Sequence, residues 1–230
     1  MKILQKIKAS FTFVQFVITV SAVLFLMLIF KKHNRKIRQS WARLQKYLLN
    51  YELEVIGEAD KEAKMVILNH QSFLDIILLE AIYPNDLAWV AKKEIENITF
   101  FGNIMRLSKM ISIDREDKKS LMQLFADCKD RVEAGRTIAI FPEGTRGDGK
   151  NMMEFKGGAK LIASKLKTKV QPIVVVNTKN VLDSKNFKAK SGKVKLIYLK
   201  SIDITKDKNW FKQMQIDMQE TLDKEQIIQN

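Results

Sequence analysis

Residues 65–82 read MVILNHQSFLDIILLEAI, and this stretch decides the fold class. Met65–Leu68 is a short apolar run that is typical of a buried strand. Phe73–Ile82 is a longer apolar run and predicts a helix. The polar residues Asn69–Ser72 mark the turn between the two elements. A strand that leads directly into a helix is the unit from which α/β domains are built.

The same alternation continues along the chain. Further strands are predicted at Leu87–Ala91, Met110–Ile113, Thr137–Phe141, Val170–Val176 and Val194–Leu199, and further helices at Lys118–Glu133, at Ala159–Leu166 and within Lys208–Ile228. We therefore predict an α/β fold with a largely parallel central sheet flanked by helices. Because a proline cannot donate a hydrogen bond to the sheet, Pro172 predicts that its strand lies at an edge or is an entry point.

The first 50 residues differ sharply in charge from the rest of the chain. They hold ten basic residues and no Asp or Glu, whereas the other 180 residues hold 30 basic and 26 acidic ones. Within this segment, residues 9–30 carry no charge, and a helix of about 20 residues spans a bilayer's hydrocarbon core. A membrane helix is predicted at about 9–30, either spanning the bilayer or only dipping into it, and the basic residues on both sides place the remaining chain on the cytoplasmic side of the cell membrane. A cleaved signal peptide is less favoured because the apolar run is long.

A second helix is predicted at about 35–50. It places Ile37, Trp41, Leu44 and Leu48 on one stripe. Two interpretations stay open: a helix in the headgroup plane of a membrane, or a helix packed on the folded domain. We divide the chain into a membrane-anchoring segment, 1–50, and a folded domain, 51–230.

Several function classes are excluded by composition. One cysteine, Cys128, rules out a disulfide scaffold, and two histidines, His33 and His70, leave no basis for a metal centre, so no metal is expected. The net charge of +14 suggests nucleic acid, but the excess lies in the first 50 residues. We expect no nucleic-acid partner. Gly147–Lys150 lacks the spacing of a nucleotide-binding phosphate loop.

His70 and Asp75 form the first candidate site. They are five residues apart, and on a continuous helix their side chains would point about 140° away from each other. If His70 lies in the turn and Asp75 in the first helical turn, the carboxylate can contact the imidazole and orient it as a base. Ser72 and Asp75 also fit a helix capping box, with Ser72 as the N-cap.

Other polar residues follow the remaining strands. After Thr137–Phe141 comes Pro142-Glu143-Gly144-Thr145-Arg146, in which Gly144 allows a tight turn, Thr145 supplies a hydroxyl and Arg146 suits a phosphate. Glu143 could orient the Arg146 guanidinium. The remaining candidates are cationic: Arg115 after Ile111–Ile113, and Lys156 before a Gly pair that opens a helix.

Taken together and in this order, these blocks resemble those of the glycerolipid acyltransferase family, in particular its bacterial 1-acyl-glycerol-3-phosphate acyltransferases. The matching blocks are Asn69–Asp75, Ile111–Arg115, Phe141–Arg146 and Val170–Val174. The resemblance implies transfer of an acyl group from acyl-CoA or acyl-carrier protein, as co-substrate and without a cofactor, to the hydroxyl of a lysophospholipid at a membrane. His70 is then the expected general base and Asp75 its orienting partner. The expected substrate-binding residues are Arg115, Glu143, Gly144, Thr145, Arg146 and Lys156.

Alternative functions stay open at this point. The same chemistry could act on glycerol-3-phosphate or on the lyso form of an amino-acid lipid. A membrane protein that binds phospholipid without catalysis is the alternative from another class.

Overall fold

The computed structural model describes residues 2–114 and 118–227. The helices are α1 (Lys2–Ile29), α2 (Asn34–Leu49), α3 (Leu74–Ile82), α4 (Thr99–Leu107), α5 (Lys118–Glu133), α6 (Gly157–Leu166), α7 (Thr178–Val181) and α8 (Trp210–Ile227). The strands are β1 (Tyr51–Ile56), β2 (Met65–Leu68), β3 (Leu87–Lys92), β4 (Ile111–Ile113), β5 (Thr137–Ile140), β6 (Val170–Val176), β7 (Leu182–Asp183), β8 (Lys188–Ala189) and β9 (Gly192–Tyr198). Short 3₁₀ helices cover Lys31–His33 and Lys93–Asn97.

Seven of these strands form one sheet in the order β1-β9-β6-β2-β5-β3-β4. Neighbouring strands are parallel except for β6 and β9, which are antiparallel. The predicted α/β fold with a largely parallel central sheet is therefore confirmed. The strands β7 and β8 form a separate two-stranded hairpin.

Helices cover both faces of the sheet, and β2 shows why its sequence is continuously apolar. Val66 and Leu68 belong to the core cluster that includes residues of α1, α2 and α3, while Met65 and Ile67 belong to the cluster that includes residues of α5, α6 and α8. All four side chains are fully buried. Alternate side chains of a strand face opposite sides of the sheet, so a strand covered on both faces is apolar throughout.

The prediction from Pro172 is wrong, because β6 is an interior strand that pairs with β2 on one side and β9 on the other. The Pro172 carbonyl accepts a hydrogen bond from the Leu199 N–H at 3.0 Å. The Leu199 carbonyl accepts instead from the Gln171 side-chain amide at 3.2 Å. A neighbouring side chain thus supplies a donor at the position where proline has none.

Helix α2 packs on the folded domain, as one of the two interpretations left open for it predicts. Its buried residues are Arg38, Ala42, Gln45 and Leu49, and it contacts α3 and β1. The predicted apolar stripe lies beside this buried face: Trp41 is half-buried and Leu44 is 46% exposed. The amphipathic pattern therefore identified the helix but not the face that enters the core.

Helix α1 is long and apolar enough to cross a membrane over Gln5–Ile29, with a mean hydropathy of 2.4. One face nevertheless packs on the domain, since Ala9, Gln15 and Met27 are buried. The Gln15 amide donates to the Gln45 side-chain oxygen of α2 at 3.0 Å. The opposite face exposes the large apolar residues Ile7, Phe11, Val14, Ile18 and Phe25.

Candidate active site

The parallel strands β6, β2 and β5 are neighbours, so their carboxyl ends lie at one edge of the sheet. His70 follows β2, the segment Phe141–Arg146 follows β5, and Thr178 follows β6. In open α/β sheets this edge is where ligands bind. The fold therefore brings together residues that are about 100 positions apart in the chain.

His70 and Asp75 are in contact, as their placement in a turn and a first helical turn predicts. Helix α3 begins at Leu74, so Asp75 is its second residue. The His70 Nδ1 lies 2.9 Å from the Asp75 Oδ2. A neutral histidine that donates its Nδ1–H to a carboxylate keeps Nε2 as an acceptor. His70 can therefore remove a proton from a bound hydroxyl, and its side chain remains 15% exposed.

Asp75 is itself held by several donors. Its Oδ2 accepts the backbone N–H groups of Gln71 at 2.7 Å and Ser72 at 2.8 Å. Its Oδ1 accepts the hydroxyl of Thr178, and the Asp75 side chain is fully buried. A carboxylate bound in this way has one orientation, and it fixes the imidazole in turn.

Thr178 was missed in the sequence, although a signal for it exists. It comes two residues after Val176, the last residue of β6. Polar residues that follow the other parallel strands lie at the same edge of the sheet as His70, which follows β2. A hydroxyl close behind the third strand could have been predicted in the same way.

The predicted capping box is only half formed. The structure has Phe73, not Ser72, at the N-cap position of α3. Asp75 accepts the Ser72 N–H, which is one bond of the box. The Ser72 hydroxyl accepts the Leu74 N–H at 3.1 Å and donates to the Leu182 carbonyl at 2.5 Å. Both of its hydrogen-bonding roles are therefore used within the fold.

Glu143 does not orient the Arg146 guanidinium, so this part of the sequence prediction is wrong. Its side chain turns inward and the residue is 2% exposed. Its two oxygens accept the backbone N–H of His70 at 2.6 Å and that of Met153 at 2.8 Å. Burial raises the pKa of Glu143 to about 7, and the two backbone donors act in the opposite direction. Glu143 thus positions the turn that carries His70.

A row of three rings supports the imidazole from one side. The His70 ring stacks on Phe141 with centroids 3.8 Å apart, and Phe141 stacks on Trp89 at 5.3 Å. The Trp89 indole N–H donates to the Glu80 carboxylate at 2.8 Å. The stack restricts rotation of the imidazole out of the plane that Asp75 defines.

The predicted phosphate-binding residues lie at the exposed side of the same loop. Gly144 has a φ of +72°, a backbone conformation that residues with a side chain rarely adopt. Thr145 and Arg146 are exposed, and the Arg146 guanidinium donates to the Ser184 hydroxyl at 2.5 Å. The next residue, Gly147, donates its N–H to the His70 carbonyl at 2.8 Å. The loop is therefore joined directly to the turn that carries the base.

Lys156 and Arg115 are the two further cationic candidates. Lys156 is exposed and directly precedes α6, and its backbone N–H bonds to the Pro142 carbonyl at 3.0 Å. Arg115 lies outside the described residues.

The chain is similar to several known proteins. Residues 31–176 match the protein-family profile described as Acyltransferase. The 1-acyl-sn-glycerol-3-phosphate acyltransferase of Helicobacter pylori is 40% identical over 203 residues, covering 86% of this chain and 85% of that protein. The lyso-ornithine lipid O-acyltransferase of Rhizobium meliloti is 30% identical over 126 residues, covering 54% of this chain and 42% of that protein.

A solved structure has the same fold. The crystal structure of the 1-acyl-sn-glycerophosphate acyltransferase from Thermotoga maritima superposes with a TM-score of 0.76 and covers 96% of both chains at 19% identity. The family profile covers more than half of the chain and includes the turn with His70 and Asp75. The chain belongs to the acyltransferase family.

Proposed function

We propose that this protein transfers a fatty acyl group from a thioester donor to the sn-2 hydroxyl of 1-acyl-glycerol-3-phosphate, forming phosphatidic acid. The observation that carries the proposal is the contact between His70 and Asp75 at the sheet edge that also carries Arg146. The name of the Helicobacter pylori relative supports the choice of acceptor.

The reaction follows from the free nitrogen of His70. Its Nε2 removes the proton of the acceptor hydroxyl as the oxygen attacks the thioester carbonyl. The tetrahedral intermediate then expels the thiolate, which takes the same proton from the imidazolium. Asp75 stabilises the imidazolium between the two steps. General-base assistance of this kind is worth about 10²–10⁴ in rate.

Direct transfer to the acceptor is favoured over an acyl-enzyme intermediate. Ser72 is close to His70 in sequence, but its hydroxyl is bonded to Leu182 and Leu74. Cys128 is fully buried, and burial raises the pKa of its thiol to about 12. A thiol in that environment is a poor nucleophile because so little thiolate forms.

The acceptor phosphate would be bound by Arg146, by Thr145 and by the backbone beside Gly144, with Lys156 and Arg115 as further candidates. A guanidinium binds phosphate with two parallel hydrogen bonds, and it needs an open face for this. The exposed position of Arg146 supports this role. The donor is proposed to be acyl-CoA or acyl-carrier protein, and the chemistry above requires no cofactor.

We place the protein at the cytoplasmic face of the cell membrane, with residues 1–50 as the membrane-facing segment and 51–230 as the catalytic domain. Helix α1 contacts the domain from Ala9 to Met27, a length of about 27 Å along the helix. A helix held along its length by the domain is better suited to lie in the membrane surface, with its apolar outer face in lipid, than to leave the domain and cross the bilayer.

The name of the Rhizobium meliloti relative favours one alternative acceptor, the lyso form of ornithine lipid. The decisive experiment gives the purified protein one acyl donor and three acceptors: 1-acyl-glycerol-3-phosphate, glycerol-3-phosphate and lyso-ornithine lipid. We expect the first to be acylated fastest, and His70→Ala to abolish this preference by removing turnover. Faster acylation of another acceptor would reassign the substrate, and equal turnover by His70→Ala would exclude the general base.

A further inference from the structure

The hairpin β7–β8 has an exposed tip of unusual composition. Residues 184–188 read Ser-Lys-Asn-Phe-Lys, and all five are exposed. Phe187 is 45% exposed and belongs to neither of the two core clusters found in the described residues. Lys190 follows close behind and is also exposed. An exposed aromatic ring among lysines is the composition of a segment that meets the membrane interface.

The backbone conformation at Phe187 does not favour a large side chain. Its φ is +50°, a conformation that a bulky side chain adopts only at a cost. Asparagine or glycine would suit that turn position better. The ring thus gains little inside the protein at a position where a smaller residue would stabilise the turn.

The hairpin is continuous with the apolar surface of α1. Helix α1 packs against β8, and Ala9 and Ala189 share one core cluster. The Lys8 ammonium donates to the Ser191 hydroxyl at 2.8 Å. The tip therefore lies next to the helix whose outer face is apolar, and one lipid surface can contact both.

The base of the hairpin is joined to the candidate active site. The Leu182 carbonyl accepts the Ser72 hydroxyl, and the Ser184 hydroxyl accepts the Arg146 guanidinium, each at 2.5 Å. Lys179, just before the hairpin, donates to the Gly147 carbonyl at 3.2 Å. A force or ligand that positions the hairpin also positions the loop that carries Arg146.

We propose that the β7–β8 hairpin is a second lipid contact, in which Phe187 enters the interface of an anionic membrane while Lys185, Lys188 and Lys190 bind its headgroups. The contact places Arg146 at the level of the phosphates, where a lysophospholipid presents its own. The inference rests on the proposed membrane-bound acyl transfer and adds the element that aligns the site with the lipid surface.

The charge and composition of the hairpin tip favour a lipid surface over an acidic protein as its binding partner. In the described part of the chain none of the three lysines is in an ion pair. Such lysines would attract any polyanion. The apolar ring between them and the adjoining apolar helix suit a surface that combines negative charge with hydrocarbon.

The test places a fluorophore on the hairpin and measures its quenching by nitroxide-labelled phosphatidylcholine in vesicles of phosphatidylglycerol and phosphatidylcholine. Asn186→Cys carries the label, Phe25→Cys reports on α1, and Lys208→Cys is the distant control. Lys208 lies just before the start of α8, whose other end lies beside the loop that follows β5, since the Gln226 side-chain amide donates to the Gly149 carbonyl at 2.6 Å. Cys128 is buried and should stay unlabelled.

We expect quenching at 186 and 25 but not at 208. Quenching at 25 without quenching at 186 overturns the hairpin contact and leaves membrane attachment through α1 intact. No quenching at either position overturns both. Acyl transfer to a water-soluble, short-chain acceptor is measured in parallel, so a failure of the catalytic proposal is seen separately.

Two sets of variants identify the contributing residues. Replacing Lys185, Lys188 and Lys190 with Gln should lower the ratio of membrane-inserted to retracted hairpin on the order of 100-fold. Each lysine near an anionic surface contributes about fivefold to this ratio. The same change at Lys206, Lys208 and Lys212 is the charge-matched control and should have no effect. A higher KM for an acyl-carrier-protein donor with unchanged quenching would assign the lysines to that protein and overturn the proposal.

Phe187→Asn separates a lipid role from a folding role. In the labelled protein it should reduce quenching at 186 while leaving Tm unchanged or higher, because asparagine suits a positive φ. A lower Tm with unchanged quenching would show that the ring serves the fold, and would overturn the proposal.

Discussion

The two sides of the candidate site are built in opposite ways. On one side, Asp75 is fully buried and is bonded to His70, to two backbone N–H groups and to Thr178. On the other side, Thr145 and Arg146 are exposed, and the guanidinium is bonded to the single side chain of Ser184 among the described residues.

The difference corresponds to two tasks. A base must hold one geometry throughout the reaction, because a small displacement of reacting atoms costs much of the rate. A phosphate-binding group must be open to a ligand that arrives and leaves, and it gains its partners only then. Changes on the buried side should therefore alter kcat, and changes on the exposed side should alter KM for the acceptor.

His70→Ala is the strongest test of the buried side. We expect kcat to fall by about 10²–10⁴, the value of general-base assistance, with little change in Tm. When the imidazole is removed, the buried Asp75 carboxylate keeps the N–H groups of Gln71 and Ser72 and the Thr178 hydroxyl as donors. Steady-state kinetics and thermal unfolding on the same preparation measure both effects.

Asp75→Asn is the companion variant, and it keeps the shape of the carboxylate. Its amide oxygen can replace Oδ2, which accepts the backbone N–H groups of Gln71 and Ser72, and its amide nitrogen can donate to the Thr178 hydroxyl. We expect kcat to fall with a smaller change in Tm, because a neutral amide stabilises the imidazolium less than a carboxylate does. A His70→Ala protein with normal kcat would contradict the assignment of the buried side.

Arg146→Ala tests the exposed side. Hydrogen bonds to charged groups contribute about 1.5–3 kcal/mol, so we expect KM for the acceptor to rise about 10- to 100-fold with a smaller change in kcat. Arg146→Lys keeps the charge but not the paired geometry and should fall between the two. A large drop in kcat at unchanged KM would mean that Arg146 acts on the buried side instead.

The sequence predicted the elements that carry strong local patterns. The strand Val170–Val176 and the helix Lys118–Glu133 have the predicted limits, because each is a clear run bounded by polar or turn residues. The contact of His70 with Asp75 also followed from local spacing. Interactions between distant residues did not, since no pattern in the chain links Gln171 to the carbonyl of Leu199. The position of Thr178 after β6 could have been predicted, but its hydrogen bond to Asp75 could not.

Glu143 shows the same limit within one motif. Arg146, three residues later, is exposed as expected. Glu143 turns inward and accepts the backbone N–H groups of His70 and Met153. Four adjacent residues thus divide between the two sides of the site. Adjacent positions in a tight turn can face opposite directions, and the sequence does not state which one enters the core.

Glu143→Gln tests that division through the pH dependence of stability. Burial raises the pKa of Glu143 from 4.5 to about 7. Between these values the unfolded chain loses the proton that the folded protein keeps, so the free energy of unfolding should fall as pH rises, by at most about 1.4 kcal/mol per pH unit. Chemical denaturation at pH 5, 6 and 7 measures the slope, which should be shallower in Glu143→Gln. Equal slopes in both proteins would show that Glu143 is not protonated in this range.

The smallest expected effect concerns Thr178, and it tests whether the buried side acts as one unit. Thr178→Val keeps the shape but leaves the Asp75 Oδ1 without the hydroxyl that it accepts. A hydrogen bond of this kind contributes about 1 kcal/mol, so we expect kcat to fall about fivefold while KM for the acceptor is unchanged. Thr178→Ser should restore kcat, because it returns the hydroxyl without the methyl group. If both variants lower Tm equally and leave kcat unchanged, Thr178 serves only packing, and the orientation of Asp75 depends on the backbone donors of Gln71 and Ser72 alone.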